Sequence, residues 1–187
     1  MKSLDRNIFE SIMDLDDNIK KTKDQIAKLN ALEWLKTHGI KKDFVDGVIK
    51  RSYMYKDIYC DDTWHFKQGQ VITLSKGDSW PEGLKVAEAN AVRLIDYDGT
   101  EIPEQIKKIR MQSLIIRNCP KLKSLQNCPS NLEKFAVSGC PELKDLKGCP
   151  KRVKDIFKFI NNGVKVDAKI IKKYCIVDKK NIIFDHD

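Results

Sequence analysis

Apolar residues near the start of the chain recur in alternating steps of four and three residues. The residues between them are mostly charged or polar, and neither glycine nor proline occurs before Gly39. This spacing predicts a helix with a heptad seam of the kind that joins two chains in a coiled-coil dimer. The same residues would also suit one amphipathic helix packed along its own domain, and the pattern leaves both interpretations open. The apolar dimerisation residues of the seam are Ile8, Ile12, Leu15, Ile19, Ile26 and Leu29, and Thr22 is its one polar position.

A second apolar pattern, in the C-terminal half, repeats after 21 residues without a gap. It emerges when SLIIRNCPKLKSLQNCP (113–129) is aligned with KFAVSGCPELKDLKGCP (134–150), where eight apolar, cysteine or proline positions coincide. A period of about 20–29 residues with the pattern L-x-x-L-x-L-x-x-[N/C] is typical of leucine-rich repeats, in which each repeat adds one strand to a parallel stack. We therefore predict one continuous core from the matched apolar residues, namely Leu114, Ile116, Leu122, Leu125, Phe135, Val137, Leu143 and Leu146.

The alternation of side chains along a strand predicts which repeat residues face outward. Repeat stacks commonly recognise their partners through this strand surface. Ile115 beside Arg117 is a combination of apolar contact and arginine that suits the energetic centre of an interface. The predicted partner-binding residues are Ser113, Ile115, Arg117, Lys134, Ala136 and Ser138.

The segments on either side of the repeats predict caps. Downstream, Val153, Ile156, Phe157 and Ile160 are spaced as in a helix, and Asp167 is placed to cap a second helix. The segments that read as strands are 175–185, a closing hairpin or paired strand, 43–49, with a two-residue Asp46-Gly47 turn, and 70–74.

The sequence therefore predicts an α+β fold. It would be a short leucine-rich-repeat solenoid with a β-rich N-terminal cap, a helical C-terminal cap and a long N-terminal helix. The predicted domains are the long helix at 1–37, the β-rich cap at 38–80, the repeat stack at 81–150, with two clear and two degenerate repeats, and the C-terminal cap at 151–187.

Positive charge is concentrated at the C-terminal end. The formal net charge is +8, and residues 151–180 contain ten Lys or Arg against three Asp. A basic surface of this kind attracts nucleic acid or an acidic protein, although a solvated lysine-rich surface looks the same in a sequence. The alternative binding site is therefore basic and lies on the polar side of the predicted 153–160 helix, at Lys151, Arg152, Lys154 and Lys158.

From about residue 33 onwards the chain resembles the small leucine-rich-repeat-like proteins encoded by tailed bacteriophages. Three passages carry the resemblance: EWLKTHGIKKDFVDGVI (33–49), the repeat ends LKSLQNCP and LKDLKGCP, and NNGVKVDAKIIKKYCIVDKKNIIF (161–184). The resemblance implies a non-enzymatic protein-interaction module that works in the cytoplasm of an infected bacterium. Its expected partner is a host protein, such as a defence factor, that it modulates or inhibits. The alternative is a nucleic-acid-binding protein that uses the basic C-terminal segment.

No catalytic motif accompanies these patterns, so we expect neither enzymatic activity nor a cofactor. The three histidines, His38, His65 and His186, are scattered, and the polar run from Cys60 to His65 is more typical of a surface loop. Alternating tyrosines at 53, 55 and 59 would suit either base stacking or packing of a small sheet. No signal peptide or membrane span is predicted, which favours a soluble cytosolic protein.

The cysteines of the repeat occupy interior positions of the pattern. Cys119 and Cys140 match each other across the period, as do Cys128 and Cys149. The alternative is a zinc site built from the four, but their spacing lacks the paired C-x-x-C arrangement of such sites. We therefore expect reduced, metal-free cysteines.

Overall fold

The computed structural model describes residues 2–38, 63–65, 71–81 and 84–184. It contains two α-helices, seven strands and two short 3₁₀ helices, Glu104–Lys108 and Lys179–Asn181. The helices are α1 (Lys2–Thr37) and α2 (Ala168–Tyr174). The strands are β1 (Thr63–His65), β2 (Val71–Leu74), β3 (Lys85–Ile95), β4 (Arg110–Arg117), β5 (Asn131–Ser138), β6 (Arg152–Ile160) and β7 (Ile182–Phe184).

All seven strands are parallel and belong to one sheet. Its order is β1-β3-β4-β5-β6-β7, and β2 pairs with the same strand β3 as β1 does, nearer the C-terminal end of that strand. Along the central strands the pairing joins Val92 to Leu114, Leu114 to Phe135 and Phe135 to Phe157. Each step therefore advances by 21 or 22 residues. This is the length of one strand plus the crossover that returns the chain to the end of the sheet where the next parallel strand begins.

The predicted fold class is wrong. The described strands form a single all-parallel sheet accompanied by two helices, which is an α/β-like arrangement rather than an α+β leucine-rich-repeat solenoid with two caps. The 21-residue alignment does correspond to a strand pairing, since Leu114 lies opposite Phe135. A period specifies which strands are neighbours, but it does not specify the layers around them.

The segment predicted as a capping helix is also corrected. Residues 152–160 form strand β6, which pairs with β5 over most of its length. The helical spacing omitted Phe159, which the structure buries beside Val153 and Phe157. A strand of β-branched and aromatic residues extends the apolar rows of the sheet, so packing against β5 outweighs a weak helical periodicity.

Each of the four central strands is followed directly by a residue with positive φ. These residues are Asp96 (φ 53°), Asn118 (φ 53°), Gly139 (φ 68°) and Asn161 (φ 51°). Glycine, asparagine and aspartate adopt this left-handed conformation at the least cost, so the sequence allows the chain to turn at the same level in every repeat. Backbone bonds continue across these turns, with Asp96 N donating to Arg117 O and Asn118 N to Ser138 O.

The core lies on one side of the sheet and continues into the crossovers. All eight residues predicted for it are buried there, and the rings of Phe135 and Phe157 meet edge to face with centroids 5.3 Å apart. Burying large aromatic and aliphatic side chains is the dominant stabilising contribution in such a stack. The face opposite this core is therefore held in a fixed shape.

The flanking segments meet the sheet at both ends. Asp167 caps α2 as predicted, since its carboxylate accepts a hydrogen bond from Ile170 N at 2.7 Å. Strand β7 lies within 175–185, where a hairpin or a paired strand was predicted, and it is a paired strand. Strand β2 is the strand predicted at 70–74. Both strands belong to the single sheet rather than to separate caps. The hairpin predicted at 43–49 lies outside the described residues.

The C-terminal end of α1 packs on the body of the protein. Ala31 is buried, and the Trp34 ring lies 5.4 Å from that of Trp80. Among the residues that the structure describes, no helix has both the length and the apolar character that a membrane span requires.

Candidate binding face

The outward side of strands β3 to β6 is the candidate site. Since Leu114, Ile116, Phe135 and Val137 point into the core, the residues that alternate with them point away from it. We call this surface the strand face. It consists of Arg93 and Ile95 of β3 with the buried Ala91 in line with them, Ser113, Ile115 and Arg117 of β4, Lys134, Ala136 and Ser138 of β5, and Ile156, Lys158 and Ile160 of β6.

Strand register aligns these residues in three rows across the sheet. The rows are Ala91-Ser113-Lys134-Ile156, Arg93-Ile115-Ala136-Lys158 and Ile95-Arg117-Ser138-Ile160. Adjacent members of a row are separated by one strand spacing, about 4.8 Å. The three rows therefore form a contiguous surface, and a single partner can contact several of their side chains at once.

The composition of the strand face is basic and apolar. It includes four cations and four isoleucines but no carboxylate. Arg93 and Arg117 are exposed, and Lys134 Nζ lies 3.6 Å from Asp155 Oδ2 just outside the face. Both members of that pair are more than half exposed, so the ion pair stabilises little and leaves the lysine accessible to a partner.

The structure brings together all six residues predicted for partner binding. Ser113 lies opposite Lys134, Ile115 opposite Ala136, and Arg117 opposite Ser138.

The alternative basic site is divided. Lys158 lies on the strand face beside Ala136, whereas Lys151, Arg152 and Lys154 are exposed at the start of β6. On an extended strand, Lys154 and Lys158 are about 13 Å apart. They do not form the compact basic patch that a helix would have given.

Besides the buried Ala91, five residues of the strand face were missed by the sequence prediction. Arg93 and Ile95 were missed because the repeat is degenerate in β3, although the alternation with Val92 and Leu94 is present in the sequence. Three residues on β6 were missed because 153–160 was assigned to a helix; they are Ile156, Lys158 as a strand-face residue, and Ile160.

Four of the five buried cysteines that the structure describes are poor candidates for chemistry, while interaction with the Cys119 thiol lowers the pKa of the fifth, Cys140. Burial raises the pKa of Cys149 to about 12 and that of Cys175 to about 11, and it also raises the pKa of Cys128. Interaction with the Cys140 thiol, and then burial, raises the pKa of Cys119. These thiols are protonated at neutral pH, and a protonated thiol is neither a strong nucleophile nor a metal ligand.

The polar contacts of His38 connect two parts of the fold. His38 Nε2 lies 3.0 Å from Asp78 Oδ1, His38 Nδ1 lies 2.7 Å from Trp34 O, and the His38 ring stacks on Trp34. Both ring nitrogens are therefore occupied by contacts that fix the end of α1 to the turn after β2. Within the described parts of the chain, no three His, Cys, Asp or Glu side chains are grouped to hold a metal ion.

Comparison of the chain with protein-family models, with curated proteins and with solved structures gave no match. We therefore infer the function from the strand face and from the resemblance to phage proteins noted in the sequence.

Proposed function

We propose that this protein is a non-enzymatic protein-interaction module and that its strand face binds a partner with an acidic and apolar surface. The observation that supports this is the composition of the face, where four cations and four isoleucines lie in register without a carboxylate. Isoleucine contributes contact area that water leaves on binding, while cations complement carboxylates on the partner and raise the association rate.

The stiffness of the face also supports binding. Its side chains project from hydrogen-bonded strands, and the opposite side of those strands is anchored by Phe135, Phe157 and their neighbours. A surface that is already in its bound shape loses little conformational entropy on association.

The size of the face sets a requirement on the partner. Four strands span about 14 Å across the sheet and the three rows about 13 Å along it, so the face covers roughly 200 Å², well below the roughly 800 Å² per partner of a standard interface. A partner must therefore also contact the border of the face. Ile183 of β7, 48 % exposed beside Lys158, and the exposed Arg152 and Lys154 supply such a border.

The resemblance to phage proteins also favours a protein-interaction function. It favours a host protein as the partner, with modulation or inhibition of a host factor as the outcome of binding. We propose this setting together with the interaction.

Nucleic acid is the second candidate, favoured by the cations Arg93, Arg117, Lys134 and Lys158. The four isoleucines of the face count against it, because isoleucine neither pairs with phosphate nor stacks on bases as aromatic rings do. Salt separates the two functions. Phosphate-dominated binding falls by orders of magnitude between about 50 and 200 mM salt, whereas a packed protein interface loses much less.

The test is capture of host proteins by three immobilised forms of the full chain. The first is wild type and the second is Ile115→Asp with Arg117→Glu. The third is Lys144→Glu with Gln126→Asp, which changes net charge equally at exposed positions away from the strand face. We expect one protein to be retained by wild type and by the control, to be lost with the strand-face variant, and to bind the purified chain in 200 mM salt.

Retention by all three forms would overturn the assignment of the strand face. If a labelled single-stranded oligonucleotide binds wild type tightly at 50 mM salt and weakly at 200 mM salt, and no protein is retained, nucleic-acid binding replaces the proposal.

A further inference from the structure

The heptad seam of α1 is exposed over its described length. Leu15 is 61 % exposed, Ile19 44 %, Ile26 52 % and Leu29 65 %. All four are large aliphatic residues of the same seam, so they form one apolar stripe along the helix, interrupted at Thr22. Apolar side chains that continue along a helix at this spacing indicate a partner helix.

A different side of α1 packs against the body of the protein. The residues of that side are Ala27, which is half-buried, Ala31, which is 4 % exposed, and Trp34, which packs on the core. At about 100° per residue, this side lies roughly 130° around the helix from the seam. The fold therefore uses one face of α1 for attachment and leaves the seam open.

The exposed part of α1 is not packed against any part of the protein that the structure describes. Residues 13–26 are all exposed, although they lie within a helix of 36 residues. Helices in proteins owe most of their stability to packing of an apolar face rather than to intrinsic propensity. A helix of this length with an unburied seam thus points to an interface that one chain does not supply.

We propose that the seam packs against the same seam of a second copy of this chain, forming a parallel two-stranded coiled coil. In the heptad register Ile12, Ile19 and Ile26 occupy the a positions, and Leu15 and Leu29 occupy d positions. Isoleucine at a with leucine at d is the combination that favours parallel two-stranded coiled coils.

The remaining positions along the seam are compatible with this arrangement. Thr22, a polar d residue, already donates its hydroxyl to Asn18 O at 2.9 Å, so its donor stays satisfied when the seam is covered. The flanking g positions Asn18 and Gln25 are uncharged, which removes like-charge repulsion between parallel chains.

The parallel arrangement has a consequence for binding. It places the C-terminal ends of the two helices together, and with them the two copies of the sheet. The dimer would present two strand faces from one end, which raises avidity for a partner that carries two sites. Dimerisation through the seam goes beyond the interaction function and does not depend on whether the strand face binds a partner.

The oligomeric state of the full chain is the first test. Sedimentation equilibrium at about 20 µM should give twice the 21.6 kDa mass of one chain. The variant Ile19→Gln with Ile26→Gln should weaken dimerisation roughly 100-fold, since four apolar side chains leave the interface of each dimer. Glutamine is a good helix former, so the helix itself is retained.

The matched control is Lys20→Gln with Asp24→Gln, which places the same residue type at exposed positions away from the seam. It should remain dimeric. A monomeric wild-type chain at this concentration would overturn the proposal, and so would a seam variant that dimerises as tightly as the control.

Orientation is tested by oxidation of Leu29→Cys. In a parallel dimer the two cysteines face each other, so we expect a covalent dimer that the wild-type chain does not form under the same oxidant. In an antiparallel dimer residue 29 faces residue 12 of the other helix. A dimeric Leu29→Cys variant that fails to cross-link would therefore overturn the parallel arrangement.

Discussion

The sheet and the helix α1 use apolar residues in opposite ways. Along β4 and β5, Leu114, Ile116, Phe135 and Val137 are each completely buried, whereas Leu15 and Leu29 of α1 are more than half exposed. Both regions have a regular apolar period in the sequence. The difference shows that a period identifies the apolar face of an element, while the fold decides whether that face is covered within one chain.

Truncation of an apolar side chain in each region gives the largest contrast. Phe135→Ala removes a ring that touches Phe157 in the core, and we expect a loss of about 3–5 kcal/mol in unfolding free energy from the cavity. Leu29→Ala removes a side chain that is 65 % exposed and should cost less than about 1 kcal/mol in the monomer.

Chemical denaturation of both variants at low protein concentration measures this contrast. Equal losses would mean that α1 is as well buried as the sheet, and the comparison would fail.

The turns between strands provide a second contrast, within the sheet region itself. Gly148 and Gly77 both have φ of +82°, but a Cβ at Gly148 would lie 2.6 Å from Gln126 Cα, while a Cβ at Gly77 meets nothing within 4 Å. Gly77→Ala should therefore cost only the left-handed strain, about 1 kcal/mol, and Gly148→Ala about 1–3 kcal/mol more.

The difference between the two melting temperatures measures how tightly successive turns are stacked. If both alanine variants melt at the same temperature, the turn containing Gly148 does not rest on the one before it.

These contrasts show which parts of the structure could be predicted from sequence. The pairing of Leu114 with Phe135 was predictable because both neighbours obey one period. Phe159 was misassigned because a short run of apolar residues fits a helix and a strand almost equally well, and only the neighbouring strand decides. The single-sheet architecture was missed because the layers around a strand depend on segments that are distant in the sequence.

The candidate site was predicted in part. Ser113, Ile115 and Arg117 follow from alternation within a strand whose register was recognised. Arg93 and Ile160 depend on strands whose repeat is degenerate or was assigned to a helix. The attachment of α1 through Ala31 was not predictable, because a single alanine gives no periodic signal against a heptad of larger residues.

A smaller effect is expected at α2, which is anchored to the core through Ile171. Asp167→Ala removes the carboxylate that accepts a hydrogen bond from Ile170 N, and loss of such a cap costs about 1 kcal/mol. Lys169→Ala, at an exposed position of the same helix, should change stability by less than about 0.5 kcal/mol. Both values are obtained from urea denaturation, and an equally stable Asp167→Ala variant would show that α2 is held by its packing alone.

The smallest effect concerns the link between the turns after β2 and β3, where Asp98 Oδ1 accepts a hydrogen bond from Gly77 N at 3.1 Å. This bond holds the pKa of Asp98 below its ordinary value of 3.8. Because the pKa is lower in the folded than in the unfolded chain, the carboxylate stabilises the fold above about pH 3.8, and the contribution is lost as the pH falls through the folded pKa. Asp98→Asn should therefore lower the melting temperature slightly at pH 7 and by less at pH 2. A variant whose melting temperature falls equally at both pH values would show that the residue acts through its shape rather than its charge, and the turn of β2 would then depend on packing as the rest of the sheet does.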